Sequence, residues 1–300
     1  MIKKSFSLDE VIRQTLQELS GVSRAAENTI EAYKTDLKDF EEFCNANNLN
    51  EIDQITEKQI RRFVILLNEK KLSKSSVSRK LSSLRRLFNY ALRNEFIEKS
   101  PLRKIPNPKV KRKLPGIINL DSFLEIYRLI DEDNSNVDKT RDKAIFELLY
   151  GSALRVSELC SLNTGDVDFK RMNIRISGKG SKVRIVPLGA KSSEILKQYY
   201  DSISAQPSQM PLFRKPDSKR IDRFIVYRIV NKYMSKVTDM KKTSPHVLRH
   251  TAATHMLDRE ADIMAVKEIL GHENLSTTQI YTHVSIERLK KSYKKAHPKS

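Results

Sequence analysis

The chain has 300 residues, which at roughly 150 residues per domain is enough for about two domains, each able to bury its own core. Lys plus Arg number 56 against 37 Asp plus Glu, a formal net charge of +19 on a sequence that is still 39% hydrophobic. That balance describes a folded protein attractive to a polyanion, and handling an acidic small molecule would not need it. Cys44 and Cys160 are far apart and form no C-x-x-C, which excludes a disulfide scaffold and a cysteine-rich zinc module and points to the reducing cytoplasm. No apolar h-region follows Met1 to Lys4, and the longest strongly apolar run, Phe63 to Leu67, is too short to cross a bilayer, so no membrane role is expected.

From Ser7 to Glu98 the pattern is helical. Capping boxes at Ser7–Glu10 and Thr56–Gln59 open periodic apolar runs, and the expected helices cover Leu8–Leu19, Ala25–Asn45, Glu57–Lys71 and Lys74–Phe96. In the second, Ile30, Tyr33, Leu37, Phe40 and Cys44 recur at spacings of three and four and form one buried stripe. The fourth interleaves hydroxyls and cations around the stripe Val77, Leu81, Leu84 and Phe88. Small hydroxyls let a helix approach phosphates while arginines reach them, so Ser75, Ser76, Arg79, Ser82, Arg85 and Arg86 are candidate DNA contacts.

Pro101 to Pro115 holds four prolines, six cations and no acid. Its prolines block helix, and the segment reads as an extended basic linker in which Lys111, Arg112 and Lys113 can track a nucleic-acid backbone. The expected division is a helical domain over 1–99, this linker over 100–116, and a second domain over 117–300.

The second domain opens with helices over Asp121–Ile130, Lys139–Tyr150 and Val156–Leu162. Asn173–Ser177 and Lys182–Leu188 then alternate apolar and polar residues about Gly178-Lys179-Gly180-Ser181, a β-hairpin signature. Helices return over Ser192–Tyr200, Ile221–Lys236, Pro245–Asp258 and Asp262–Leu270. The tail from Ile286 to Ser300 sets six cations against Glu287 and puts Ile286, Leu289 and Tyr293 on one helical face, which must bury itself on its own domain or on a neighbour's.

Three tempting patterns fail. Position 173 is Asn and the residue after Lys179 is Gly180, so this is no P-loop. His272-Glu273 lacks the second histidine of a zinc-protease helix, and Asp166 and Asp168 read as turn and cap residues before a strand more readily than as metal anchors. At Thr243 to His250, Ser244 suits the N-cap and Pro245 the first helical position; His246 and Arg249, three apart, share a face beside free N–H groups. Gly271 suits the end of a helix, His272 follows it, and Tyr281 sits in a polar run.

Taken in order, Ala153-Leu154-Arg155-Val156-Ser157-Glu158-Leu159, Gly178-Lys179-Gly180, His246-Val247-Leu248-Arg249-His250, Leu270-Gly271-His272 and Thr278 to Val284 resemble the tyrosine recombinases of the phage-integrase family, most closely the Xer branch. Thr29, Tyr33, Asp36-Leu37, Phe40 and the ending His297-Pro298-Lys299-Ser300 also look Xer-like, so the resemblance covers nearly the whole chain. The sequence departs at Ala153, where glycine is common, at Thr251, where serine is common, and at Glu260-Ala261-Asp262, where glycine often precedes the pair.

The resemblance implies a mainly α fold with a small β-sheet (α+β): a helical SAM-like core-binding domain followed by a mixed α/β catalytic domain. It implies a site-specific recombinase that cuts and rejoins double-stranded DNA through a 3′-phosphotyrosyl intermediate, needing no metal, ATP or other cofactor. Arg155, Lys179, His246, Arg249, His272 and Tyr281 take the active-site roles, with Tyr281 the nucleophile. It further implies a homo- or hetero-tetramer on paired sites, assembled through the tail, with a second Xer-type recombinase and a septal DNA translocase as candidate partners, and resolution of chromosome or plasmid dimers as the task. A phage or mobile-element integrase with the same chemistry is the alternative reading, and a non-enzymatic DNA-binding protein a third.

Overall fold

The computed structural model describes residues 6–21, 27–109, 116–177, 183–203, 207–240, 243–259 and 261–271. Two units divide the chain, Met1–Lys113 and Leu114–Ser300, each with its own apolar core. Among the described residues no helix is long and apolar enough to cross a membrane.

The first unit is built from α1 (Leu8–Ser20), α2 (Glu27–Asn45), α3 (Glu57–Glu69) and α4 (Lys74–Arg93). Leu37, Phe40 and Cys44 of the α2 stripe are fully buried while Ile30 and Tyr33 are only half-buried, and the Phe40 ring meets Phe63 edge-on at 5.1 Å and Phe88 at 6.2 Å. The capping box at Thr56 forms, with Gln59 accepting the Thr56 N–H at 3.2 Å. The one expected at Ser7 does not: no side-chain bond caps α1, because the chain there pairs instead with the loop before α3, through Leu8 N–H to Asn50 O at 2.8 Å and Ile52 N–H to Phe6 O at 3.0 Å. The fourth helix also ends before Phe96. Glu95 turns left-handed at φ 60° and Phe96 folds back to stack on Phe6 at 4.0 Å.

Two findings qualify the expected extended segment after Ser100. Residues 101–104 form a turn, and Leu102 and Ile105 are buried in the first core. Arg85 holds the next stretch, donating to Ile105 O at 2.6 Å and Asn107 Oδ1 at 2.5 Å.

A buried charge cluster joins α2 to α4. Asp36, 1% exposed, accepts hydrogen bonds from Lys80 at 3.0 Å, Arg79 at 2.5 Å and Ser83 at 2.8 Å, and Lys80 also reaches Asp39 at 2.5 Å. With every partner present, the cluster satisfies charges that burial would otherwise penalise.

The second unit contains α5 (Leu120–Glu132), α6 (Lys139–Tyr150), α7 (Val156–Ser161), α8 (Ala190–Ser202), α9 (Arg223–Val237), α10 (Pro245–Asp258) and α11 (Ile263–Leu270). α6 is buried on most of its faces and is the centre of the unit, packed by α5, α7, α8, α9 and α10. The hairpin β2 (Asn173–Ser177) and β3 (Val183–Pro187) is extended by a strand the sequence pattern does not disclose, β1 (Val167–Asp168), in the antiparallel order β1-β2-β3. A two-residue strand has too few positions to show alternation. Buried Thr251 on α10 accepts the Ile118 N–H at 3.2 Å and fixes the entry of the chain into this unit.

Replacing Asp36 by Ala leaves Lys80 buried with Asp39 as its remaining carboxylate partner, and we expect a stability loss of about 3 kcal/mol in urea denaturation. A loss below about 1 kcal/mol would mean that this cluster contributes no more than a surface ion pair.

Candidate active site

Arg155 is the N-cap residue of α7. Its own N–H donates to Glu158 Oε2 at 2.7 Å and its Nη1 to Glu158 Oε1 at 2.8 Å, so the side chain one turn into the helix holds both ends of the same arginine. The Arg155 Nη2 donates to Gly271 O at 2.8 Å. Arg249, on the second turn of α10 and 8% exposed, donates Nη1 to Ala153 O at 2.6 Å and Nη2 to Leu270 O. Its Nη1 also lies 3.7 Å from Glu158 Oε2. The two arginines expected to act together are therefore held around one carboxylate, by chain segments more than ninety residues apart in sequence.

Two left-handed residues aim the carbonyls that hold them. Gly271 ends α11 at φ 61°, a conformation open to glycine, and Ala153 adopts φ 49° in the loop before α7. An alanine there carries strain of about 1 kcal/mol, which the bond from Arg249 to its carbonyl and full burial of its methyl help to hold in place.

A third guanidinium belongs to the cluster and was not singled out in the sequence. Arg184 on β3 donates Nη1 to Glu158 Oε1 at 2.7 Å and Nη2 to Oε2 at 2.9 Å, a bidentate pair with side chains 11% and 8% exposed. Parity in the sequence makes Arg184 a polar position between Val183 and Ile185, yet the face it shares with Val186, opposite Ile176, is the buried one, and Val183 is exposed. Glu158 was legible as the residue three after Arg155, in reach on a helix.

Burial alone would raise the Glu158 carboxyl, but the bonds and charge of Arg184 and the bonds from Arg155 overcome it and hold the group down at about 2. Arg249 is lowered to about 10 by burial and by neighbouring Arg155, against the opposing pull of Glu158, and so remains a cation at neutral pH.

His246 is exposed in the first turn of α10, three residues before Arg249 on the same helix. Pro245 occupies the start of the helix as expected, whereas Ser244 makes no side-chain cap bond, its backbone being fully extended at φ −162°. Ser177 pairs with Val183, so residues 178–182 connect β2 to β3; Lys179 in that connection, His272, Tyr281 and the tail from Ile286 lie outside the described residues. Asp166 is engaged structurally, accepting Arg175 at 3.1 Å and the Asn163 N–H at 2.9 Å, and Asp168 accepts the Arg171 N–H at 2.8 Å.

Of the candidate DNA contacts on α4, Ser75, Arg79 and Ser82 are exposed and lie at helical spacings on one face, with Ser76 half-buried beside them. Arg79 is held by Asp36. Arg85 and Arg86 have protein partners, Arg85 the 105–107 segment and Arg86 the Glu18 carboxylate at 2.8 Å. Lys111, Arg112 and Lys113 lie outside the described residues.

Comparison with known proteins places these features in a family. Residues 122–288 match the phage integrase family and residues 12–95 the phage integrase N-terminal SAM-like domain. A tyrosine recombinase XerC of Thermodesulfovibrio yellowstonii is 42% identical over 280 residues, 91% of each chain. A tyrosine recombinase XerD of Staphylococcus saprophyticus is 34% identical over 298 residues, 98% of this chain and 100% of its own. Among solved structures, XerH site-specific recombinase bound to a palindromic difH substrate superposes with TM-score 0.68 at 23% identity, covering 94% of this chain and 83% of the other. A lambda integrase dimer bound to a core site gives 0.70 at 16%, covering 92% and 100%. These two likenesses establish the fold.

Gly271→Ala tests the turn beneath the cluster. A Cβ there would lie 3.0 Å from the Arg184 Cζ and Nε on an already left-handed backbone, and we expect a loss of about 1–2 kcal/mol of stability by denaturation; an unchanged midpoint would contradict the tight approach. The Glu158 carboxyl sits lower folded than unfolded, so its contribution is full above its ordinary value of 4.5 and is lost as pH falls toward about 2. The stability gap between wild type and Glu158→Gln should be constant down to about pH 5 and narrow steadily below it, in urea melts at stepped pH. A gap still undiminished at about pH 3 would mean the carboxylate is not held by these arginines.

Proposed function

This chain belongs to the phage integrase family, and from that premise we propose that it is a Xer-type site-specific DNA recombinase whose active site is Arg155, Lys179, His246, Arg249, His272 and Tyr281. The single observation that carries the reading is the pair Arg155 and Arg249, held as cations around Glu158 by backbone carbonyls from separate segments. Fixed guanidiniums of this kind suit the non-bridging oxygens of a phosphodiester in its transition state, because they stay protonated and need no rearrangement as charge builds.

In the proposed reaction the Tyr281 oxygen attacks the scissile phosphorus, its proton passing to a base for which His246 is suited by type and by position beside Arg249. The bond from phosphorus to the 5′ oxygen breaks, and Lys179 on the β2–β3 connection supplies the proton the leaving oxygen needs. His272 hydrogen-bonds a phosphate oxygen. The resulting 3′-phosphotyrosyl bond is attacked in turn by a 5′-hydroxyl of another strand, which releases Tyr281 and joins the new partner. Bond energy is conserved throughout, so the residues named balance the step without an external energy source.

The two units would serve as core-binding and catalytic domains about duplex DNA, with the basic segment including Lys111, Arg112 and Lys113 between them and the α4 face of Ser75, Ser76, Arg79 and Ser82 against phosphates. Arg85 and Arg86 would contribute from positions already fixed by their protein partners. Relatives named XerC and XerD at 34–42% identity over nearly the whole chain support chromosome or plasmid dimer resolution over a mobile-element role. As the family resemblance implies, the proposal extends to a multimeric assembly on DNA in the cytoplasm, with tail docking between protomers, a second recombinase of the same type and a septal translocase as its finer features.

The test starts by selecting a binding site from randomised duplexes with the Tyr281→Phe protein, then offering that site, nicked beside the scissile phosphate, to wild type. Wild type should accumulate a covalent protein–DNA adduct in the presence of a chelator, while Tyr281→Phe binds equally and forms none. Site-selective binding with no adduct from wild type would return the chain to a non-enzymatic DNA-binding role. Lys179→Ala should regain cleavage on a substrate whose 5′ leaving atom is sulfur, since a thiolate needs less protonation; no recovery would remove Lys179 from that role.

A further inference from the structure

We propose that Arg184 is a positioning residue of the recombination site, saturating Glu158 so that Arg155 and Arg249 remain free to hold phosphate; the inference rests on the reading of the site given above. Glu158 Oε1 accepts from Arg155 Nη1 and Arg184 Nη1, and Oε2 from the Arg155 N–H and Arg184 Nη2, so both carboxylate oxygens have two donors. Arg249 is left at 3.7 Å from Oε2, outside hydrogen-bond range, and gives its Nη groups to Ala153 O and Leu270 O. A guanidinium has more N–H donors than these bonds use. Arg155 and Arg249 thus keep donors for a substrate because Arg184 has filled the acceptor that would otherwise compete for them.

Removing the Arg184 fork exposes the competition. A buried carboxylate deprived of two charge-assisted bonds is a strong acceptor, and the nearest available donors are Arg155 and Arg249. Their guanidiniums would be drawn onto Glu158 and away from the position of the phosphate, a displacement that catalysis punishes far more than binding does. Arg184 also packs against the Gly271 turn, where a Cβ would meet its Nε at 3.0 Å, so it braces the carbonyl that Arg155 uses. A lysine could not replace it, because one ammonium cannot bond both carboxylate oxygens in a planar fork.

Single-turnover cleavage of the nicked selected site by saturating full-length protein separates this role from others. Arg184→Met should bind the site with an affinity within about threefold of wild type yet cleave at least about tenfold more slowly. Adding Glu158→Gln to Arg184→Met should restore part of that rate, because a neutral amide competes less for the arginines. A sulfur leaving atom should not rescue Arg184→Met, which distinguishes an effect on Arg155 and Arg249 from one on Lys179 in the neighbouring connection. Arg184→Lys should cleave at an intermediate rate, and it carries the test if Arg184→Met does not fold. A wild-type rate in either single variant, full rescue by sulfur, or a double variant no faster than Arg184→Met would each overturn the proposal while leaving the recombinase reading intact. Failure of wild type to form any adduct would overturn both.

Discussion

One buried carboxylate organises the catalytic unit. Glu158 gathers the charges of Arg155, Arg184 and Arg249, which arrive from α7, β3 and α10 and would otherwise repel one another in a poorly solvated place. Without an anion at the centre, the guanidiniums of Arg184 and Arg249 and the half-buried one of Arg155 could not be held together. With it, the cluster keeps a net positive charge, which is what a site for a phosphodiester requires before the substrate arrives. The neighbouring cations and hydrogen bonds outweigh desolvation at Glu158, so the carboxyl stays ionised throughout the physiological range.

Backbone carbonyls complete what the carboxylate begins. Ala153, Leu270 and Gly271 supply acceptors from two turns, both of them left-handed, and these fix the remaining freedom of Arg155 and Arg249. The fold serves this arrangement directly. Central α6 leads into the loop of Ala153 and Arg155, α10 brings Arg249, α11 ends at Gly271, and the β2–β3 hairpin brings Arg184 at the base of the connection that contains Lys179. The same motif of a buried acid satisfying several cations recurs in the first unit, where Asp36 binds Arg79, Lys80 and Ser83 and locks α2 to α4. A strongly basic chain can fold around its own positive charge by spacing out such acids.

Much of this was legible in the sequence where local rules decide. The α2 stripe, the Thr56 cap, Pro245 at the head of α10 and Gly271 at the foot of α11 all follow from period, capping chemistry and backbone freedom. What escaped depends on partners distant in the chain. The Ser7 box yields to pairing with residues 50–52, α4 stops short because Phe96 finds Phe6, and β1 is too brief to show a period. At the site, the two proposed arginines were visible through an ordered series of motifs and Glu158 lay within helical reach of Arg155, but its union of Arg155 with Arg184 and Arg249 depends on segments distant in the chain. Arg184 reads as an ordinary polar position of an alternating strand, and it acquires meaning when Glu158 is seen beside it.

In the proposed recombinase, two arginines preset around Glu158 take hold of one phosphate. The most direct measurement is a crystal structure of the Tyr281→Phe protein on its selected duplex. The scissile phosphate should lie within hydrogen-bond distance of both Arg155 and Arg249, with the Glu158–Arg184 pair unbroken beneath them. A phosphate touched by neither arginine, or reached by them only after Glu158 has released Arg184, would contradict it.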